Sequence, residues 1–122
     1  MKNDLESLNV FSLVMTLFVK SDAYNELINN RKTIEGRVNL GFNKEIKENI
    51  TYKLKNEDRE KIIKVIKIEK FDSLFSMISN VDVNKLLPYK EIRSKEDAIR
   101  HYQKIYPKLW KKSFLAIYIK VI

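Results

Sequence analysis

With 122 residues, 44% apolar and 33% charged, the chain has globular composition and enough length to bury a core. It has no cysteine and a single histidine, His101, which excludes disulfides and thiolate nucleophiles and argues against a zinc site. Two Gly and two Pro are too few for a disordered or linker-like segment. The net charge of +8 is uneven: residues 1–29 carry two basic and four acidic groups, residues 94–122 seven basic and two acidic. A basic half suits a polyanion such as nucleic acid, although lysine-rich surfaces also serve solubility alone.

The longest apolar run, Val10 to Val19, is about half of a membrane span. It follows acidic residues rather than the basic start of a signal peptide. We therefore expect one intracellular, cytoplasmic domain with no membrane segment, its core over 15–121 and residues 1–14 an extension. Residues 15–20 predict a strand, and 21–30 a short helix with Ser21 as its cap and Asp22 in its first turn. Tyr24, Leu27 and Ile28 form its apolar stripe, and Asn29-Asn30 suits a left-handed exit.

The stretch from 31 to 38 reads as a strand that sends Ile34, Gly36 and Val38 to one side and Thr33, Glu35 and Arg37 to the other, with Lys32 at its entrance. The polar row extends over about 13 Å at roughly 3.3 Å per residue. It is either a solvated face with a Glu–Arg pair worth roughly 0 to 1 kcal/mol or the floor of a site. Gly36 in mid-strand marks either a close backbone approach or a bend.

A loop around Gly41 leads to an alternating strand over 49–55. Residues 61–70 are ambiguous: lysines recur every third residue, as on a helix, yet all five apolar residues are Ile or Val, which favours a strand. Two short helical turns over 71–93 end at the Pro88 turn. The helix over 94–106 is capped by Ser94 with Asp97 three residues on, has Ala98, Ile99, Tyr102, Ile105 and Tyr106 on one face, and ends at Pro107. A closing strand over 113–122 has a wholly apolar face of Leu115, Ile117, Ile119 and Val121. The pattern predicts an α+β fold of five to six mostly antiparallel strands, a curled sheet or small barrel with two to three flanking helices.

No nucleotide-binding loop is present: Gly36 and Gly41 have the spacing of a P-loop, but Phe42-Asn43 follows where Lys-Ser/Thr is needed. His101 lies beside the apolar stripe of its helix and reads as an exposed helix residue. Tyr102, Tyr106 and Trp110, among Lys104, Lys108, Lys111 and Lys112, are either core or a base-stacking platform.

In order, "NNRKTIEGRV", "KFDSLFSMIS…LLP" and "SKEDAIRHYQKIY…FLAIYIK" resemble the ASCH domain family, which shares the fold of PUA RNA-binding domains. The match runs from about Met15 to Val121, and the order and spacing of the motifs carry it more than any one of them. The chain departs from the family pattern at Asn30, where a glycine is usual, in "KENITYKL", which lacks Gly-Asp, and at Ser113-Phe114, where the family tends to Gly-Val.

The resemblance implies a small pseudo-barrel with a basic cleft beside "KTIEGR" that binds RNA or a nucleotide. Arg31, Lys32 and Arg37 would then contact phosphate, Thr33 and Glu35 a base or sugar edge, and Trp110 or Tyr102 would stack. Some small bacterial members are amidohydrolases that remove acetyl from acetylated cytidine, with a Lys and a Thr on this strand and a Glu before the last helix. Lys32 matches that lysine and Glu91 that carboxylate, while Glu35 stands where the threonine would be; Thr33 is not its equivalent. A hydrolase using Lys32, Glu35 and Glu91 is thus the alternative, and a protein-interaction module without ligand a third. No cofactor or metal is implied.

Overall fold

The computed structural model describes residues 16–122. Alternating and β-branched stretches form five strands: β1 (Thr16–Phe18), β2 (Ile34–Val38), β3 (Ile50–Asn56), β4 (Arg59–Phe71) and β5 (Phe114–Val121). Three helices of seven or more residues, α1 (Ser21–Ile28), α2 (Leu74–Asn80) and α4 (Lys95–Ile105), flank the sheet with one short turn of helix, α3 (Val83–Leu86). A 3-10 turn covers Gly41–Glu45. The strands run in the order β1-β3-β4-β5-β2, with β1–β3 the parallel pair and the rest antiparallel. This is the α+β pseudo-barrel expected: a curled half-barrel whose edges, β1 and β2, face each other across an open seam.

The ambiguous lysine-rich stretch is strand. Ile63 and Val65 are fully buried in the core, while Lys64 between them is half-buried and Lys61 and Lys67 are exposed. Asn56 pairs with Arg59 across a two-residue turn in which Glu57 takes φ 53°. A bulge between Val65 and Lys67 shifts the register of β4 against β5 and supplies the bend of the sheet. Beyond β3, the Ile68 N–H donates to the Glu48 carboxylate at 2.7 Å.

Strand β5 is apolar on both faces because both are covered. Phe114 and Ala116 join Ile34, Val38, Leu74, Met77 and Tyr102 under the later helices. Leu115, Ile117 and Ile119 join Leu17, Leu27, Tyr52 and Ile63 inside the curl, against α1.

The caps follow the sequence in part. Ser94 Oγ accepts from the Asp97 N–H at 3.1 Å, but the Asp97 carboxylate accepts from the Arg93 N–H at 2.9 Å, one residue earlier than a reciprocal box requires. Ser21 is not a cap: Lys20 holds that position without a side-chain bond, and the Ser21 hydroxyl accepts from Arg59 at 2.9 Å. The left-handed exit falls on Asn30, at φ 60°. The expected core boundary at Met15 and the extension before it lie outside the described residues.

Gly36 is a close approach rather than a bend. A Cβ there would meet the Tyr102 hydroxyl oxygen at 2.5 Å and the Met77 methyl at 3.1 Å. Gly36→Ala should therefore cost about 1–3 kcal/mol by overpacking, read as a lower urea midpoint. Tyr102→Phe in that background should recover part of the loss, since the nearest atom is the hydroxyl oxygen. A Gly36→Ala protein as stable as wild type would contradict this packing.

Candidate functional site

Cross-strand partners point to the same face, so Glu35 opposite Ile117 and Arg37 opposite Leu115 face the inside of the curl, not bulk solvent. Their neighbours Ile34 and Val38 fill the other core, as alternation demands. Because β2 is an edge, the inner polar face opens onto the seam, where a cleft of about 800 Å³ lies. That volume is within the range of small-ligand sites. Phe18 to Ala23, the loop through Leu87, Tyr89, Glu91 and Ile92, and the inner side of α4 form its walls.

Lys32 stands at the entrance of β2, two residues before Ile34, but its side chain turns inside and is only 2% exposed. Its ammonium donates to the Ile34 carbonyl at 2.7 Å and to the Leu86 carbonyl, and it lies 3.3 Å from Glu35 Oε1. Those three acceptors match the three donors of an ammonium and leave none for a ligand phosphate. Burial pulls the Lys32 amine below its ordinary value, while the Glu35 charge opposes that shift.

Arg37 donates to the Phe18 carbonyl of β1 at 2.6 Å and so spans the seam. It also reaches Asn43 Oδ1 at 3.3 Å and Glu35 Oε2 at 3.4 Å. Glu35, with a side chain 14% exposed, thus has one cation on each oxygen. A carboxylate offers about four lone-pair positions, so two remain for donors arriving through the cleft.

Around this carboxylate the cleft is not basic. Lys20, Arg37, Arg100 and Lys104 line it together with Asp22, Glu35, Glu91 and Asp97, four charges of each sign. Asp97 and Arg100 pair with each other at 2.7 Å. Glu91 is exposed on the loop wall.

His101 was read as an exposed helix residue. It is half-buried and lines the cleft, its ring 6.0 Å from that of Tyr89 and 5.4 Å from that of Tyr102. Burial, then the nearby Lys32 charge, hold His101 below its ordinary value. Burial and the surrounding carboxylates push the Tyr89 phenol up. No local pattern signals this pairing, because Tyr89 reaches His101 only through the fold of the 87–92 loop.

Three residues expected at the site are elsewhere. Arg31 has a 59% exposed side chain and pairs with Glu26 on the outer surface. Thr33 does not line the cleft; its backbone bonds to Lys85 and Ile119. Trp110 lies outside as well, edge-on to Phe75 at 6.1 Å. Tyr102 does reach the cleft wall, but its ring is buried against Phe114 and cannot present a face to a base. Phe18, which is exposed, and Tyr89, which is half-buried, are lining aromatics that sequence reasoning passed over. Among the described residues there is no cluster of three metal-ligating side chains and no helix long and apolar enough to cross a membrane.

No family model matches the chain, and no curated protein matches it at a significant level. Solved structures do match. The crystal structure of hypothetical protein PH0355 is 21% identical with a TM-score of 0.76, covering 88% of this chain and 97% of that one. The solution structure of PF0455 from Pyrococcus furiosus is 19% identical with a TM-score of 0.68, covering 88% and 96%. EF3133 from Enterococcus faecalis V583, described under the family model DUF984, is 12% identical with a TM-score of 0.53, covering 80% and 68%. These likenesses show a fold shared with proteins whose names assign no activity.

As the chain has one histidine, His101 can be followed alone by imidazole proton NMR. It should titrate below 6.5, and Lys32→Met should move its midpoint upward by removing the adjacent positive charge. The sign for stability follows: between the folded midpoint and 6.5 the unfolded chain holds more protons, so His101's contribution is complete above 6.5 and fades as pH falls toward the folded midpoint. Lys32→Met should also destabilise by about 3 kcal/mol through loss of a buried ion-pair partner. An unchanged His101 midpoint in that variant would contradict the placement of the ammonium.

Proposed function

We propose that this chain is an ASCH-like module of PUA type whose cleft binds a nucleobase, presented by a nucleotide, a nucleoside or RNA, inside the cell. The observation that carries the reading is the Glu35 carboxylate, held by Lys32 on one oxygen and Arg37 on the other and facing the cleft. An anchored carboxylate is a poor neighbour for phosphate and a good acceptor for an exocyclic amino group, such as that of cytosine. The balanced charge of the lining favours base recognition over backbone attraction at this place. Phosphate contacts assigned above to Arg31 and Lys32 have no part in this version, since one is outside the cleft and the other is fully engaged.

A second reading has its own observation. Lys32 holds Glu35 at 3.3 Å, and Glu91 lines the same cleft, so two carboxylates, one of them anchored by a lysine, are available for hydrolysis of an acylated amino group. In that chemistry water would attack the acyl carbon with Glu35 as base, and Glu91 would protonate the leaving nitrogen. Release of acetate from acetylated cytidine tests it: turnover abolished in Glu91→Ala supports the hydrolase, turnover unchanged removes the role given to Glu91, and no turnover by wild type removes the reading.

For the binding reading, cytidine and uridine are titrated into wild type and Glu35→Gln by calorimetry. Wild type should prefer cytidine, and the variant should lose about tenfold in cytidine affinity, the scale of one hydrogen bond to a charged acceptor, with little change for uridine. Equal affinity for the two nucleosides in wild type would overturn the role given to Glu35.

A further inference from the structure

We infer that the ligand is a single strand of nucleic acid, with one base in the cleft and the flanking nucleotides on a lysine and aromatic platform just beyond the end of α4. The inference rests on the cleft reading above and adds to it a second place on the molecule that the cleft does not use.

The last turn of α4 belongs to the cleft, which Lys104, Ile105 and Tyr106 line. The chain then folds back tightly: the Trp110 N–H donates to the Tyr106 carbonyl at 3.0 Å, and the Lys112 N–H to the Leu109 carbonyl at 3.0 Å. Trp110 therefore sits one backbone turn past Tyr106 of the cleft wall, outside the cleft lining itself. Its ring meets Phe75 of α2 edge-on at 6.1 Å, and Lys111 Nζ lies 5.5 Å over it. Phe75 is 49% exposed, on a helix whose Leu74, Met77 and Ile78 are buried, so the core makes little use of it.

Charge separates the two places. The cleft lining is balanced, whereas the sequence from Ala98 to Ile122 contains no acidic residue at all. Lys108, Lys111 and Lys112 are exposed around Trp110, and among the described residues none of them is in an ion pair. Unneutralised ammonium groups around an aromatic pair, Phe75 exposed and Trp110 half-buried with part of its ring left open, are what a strand of stacked bases and phosphates requires. The division of work is then chemical: the platform holds backbone and stacks without selectivity, and the cleft selects.

The test compares cytidine, followed by calorimetry, with a fluorescein-labelled oligocytidylate of about eight nucleotides, followed by anisotropy across a salt series. The proteins are wild type, a Lys108→Gln/Lys111→Gln/Lys112→Gln variant, and Phe75→Ser, whose exposed position spares the core. Wild type should bind the oligomer at least about tenfold tighter than cytidine, from stacking of further bases. Its log affinity should fall with log salt by about 0.7 per phosphate contact, so the triple variant should lose about 2 from that slope and leave cytidine binding unchanged. Phe75→Ser should weaken the oligomer without altering the slope.

An oligomer no tighter than cytidine, or a triple variant with wild-type affinity and slope, overturns the platform and leaves the cleft reading standing. Cytidine that fails to bind while the oligomer binds through the lysines has the opposite meaning: the platform stands and the cleft reading falls. Retention on anionic lipid vesicles with no binding of the oligomer overturns the nucleic-acid assignment altogether.

Discussion

The arrangement of the cleft depends on where one ammonium group goes. Lys32 is buried, and an unpartnered charge there would be costly enough to expel it or neutralise it. Its acceptors come from three places: the backbone of β2, the carbonyl of Leu86 at the end of α3, and the carboxylate of Glu35. One side chain thereby ties the floor of the cleft to the start of the loop that carries Tyr89 and Glu91 along its wall. It also fixes the direction in which Glu35 points, and Arg37 completes the hold by reaching across the seam to Phe18. The edge strands of a half-barrel are liable to pair with other chains. Here the gap between them is crossed by a guanidinium rather than by a ladder, which leaves room for a ligand.

The distribution of charge divides the surface into regions with different chemistry. An excess of eight positive charges suggests a uniformly basic protein, yet the concave region is electrically mixed. The surplus lies instead on the outer sheet face and in the turns after α4. Lys64 and Lys120, for example, stand directly opposite each other on β4 and β5, a pairing that works slightly against stability. On the proposed reading, long-range attraction and selective contact belong to different residues, and mutations in one set should leave the other largely intact.

The alternation in "RKTIEGRV" was enough to assign both faces of β2, because a period of two admits only one partition once Ile34 and Val38 are buried. The capped helix at 94–106 was legible for a similar reason, as Ser94 and Pro107 punctuate it locally. The lysine-rich β4 was resolved in favour of β-branching, since Ile63 and Val65 are stiff side chains suited to a pleated core. What could not be read depends on contacts distant in sequence. Lys32 looks like any strand-end lysine until the Leu86 carbonyl, 54 residues away, is placed against it. His101 lies at the edge of a stripe, and only the Tyr89 loop decides whether that edge is covered. Trp110 follows its helix closely enough to suggest the same site, but the backward turn at 106–112 carries it to α2. Structures of 21% and 19% identity show how far side chains can change while this fold persists. Chemistry must therefore be argued from this chain's own residues.

The measurement that bears most directly on the account is a crystal structure of the protein with cytidine bound. The account predicts the base inside the cleft with its exocyclic amino nitrogen about 2.9 Å from a Glu35 oxygen, and Lys32 and Arg37 still holding that carboxylate from behind. A base bound elsewhere, or one in the cleft that leaves Glu35 facing only Lys32 and Arg37, would contradict it.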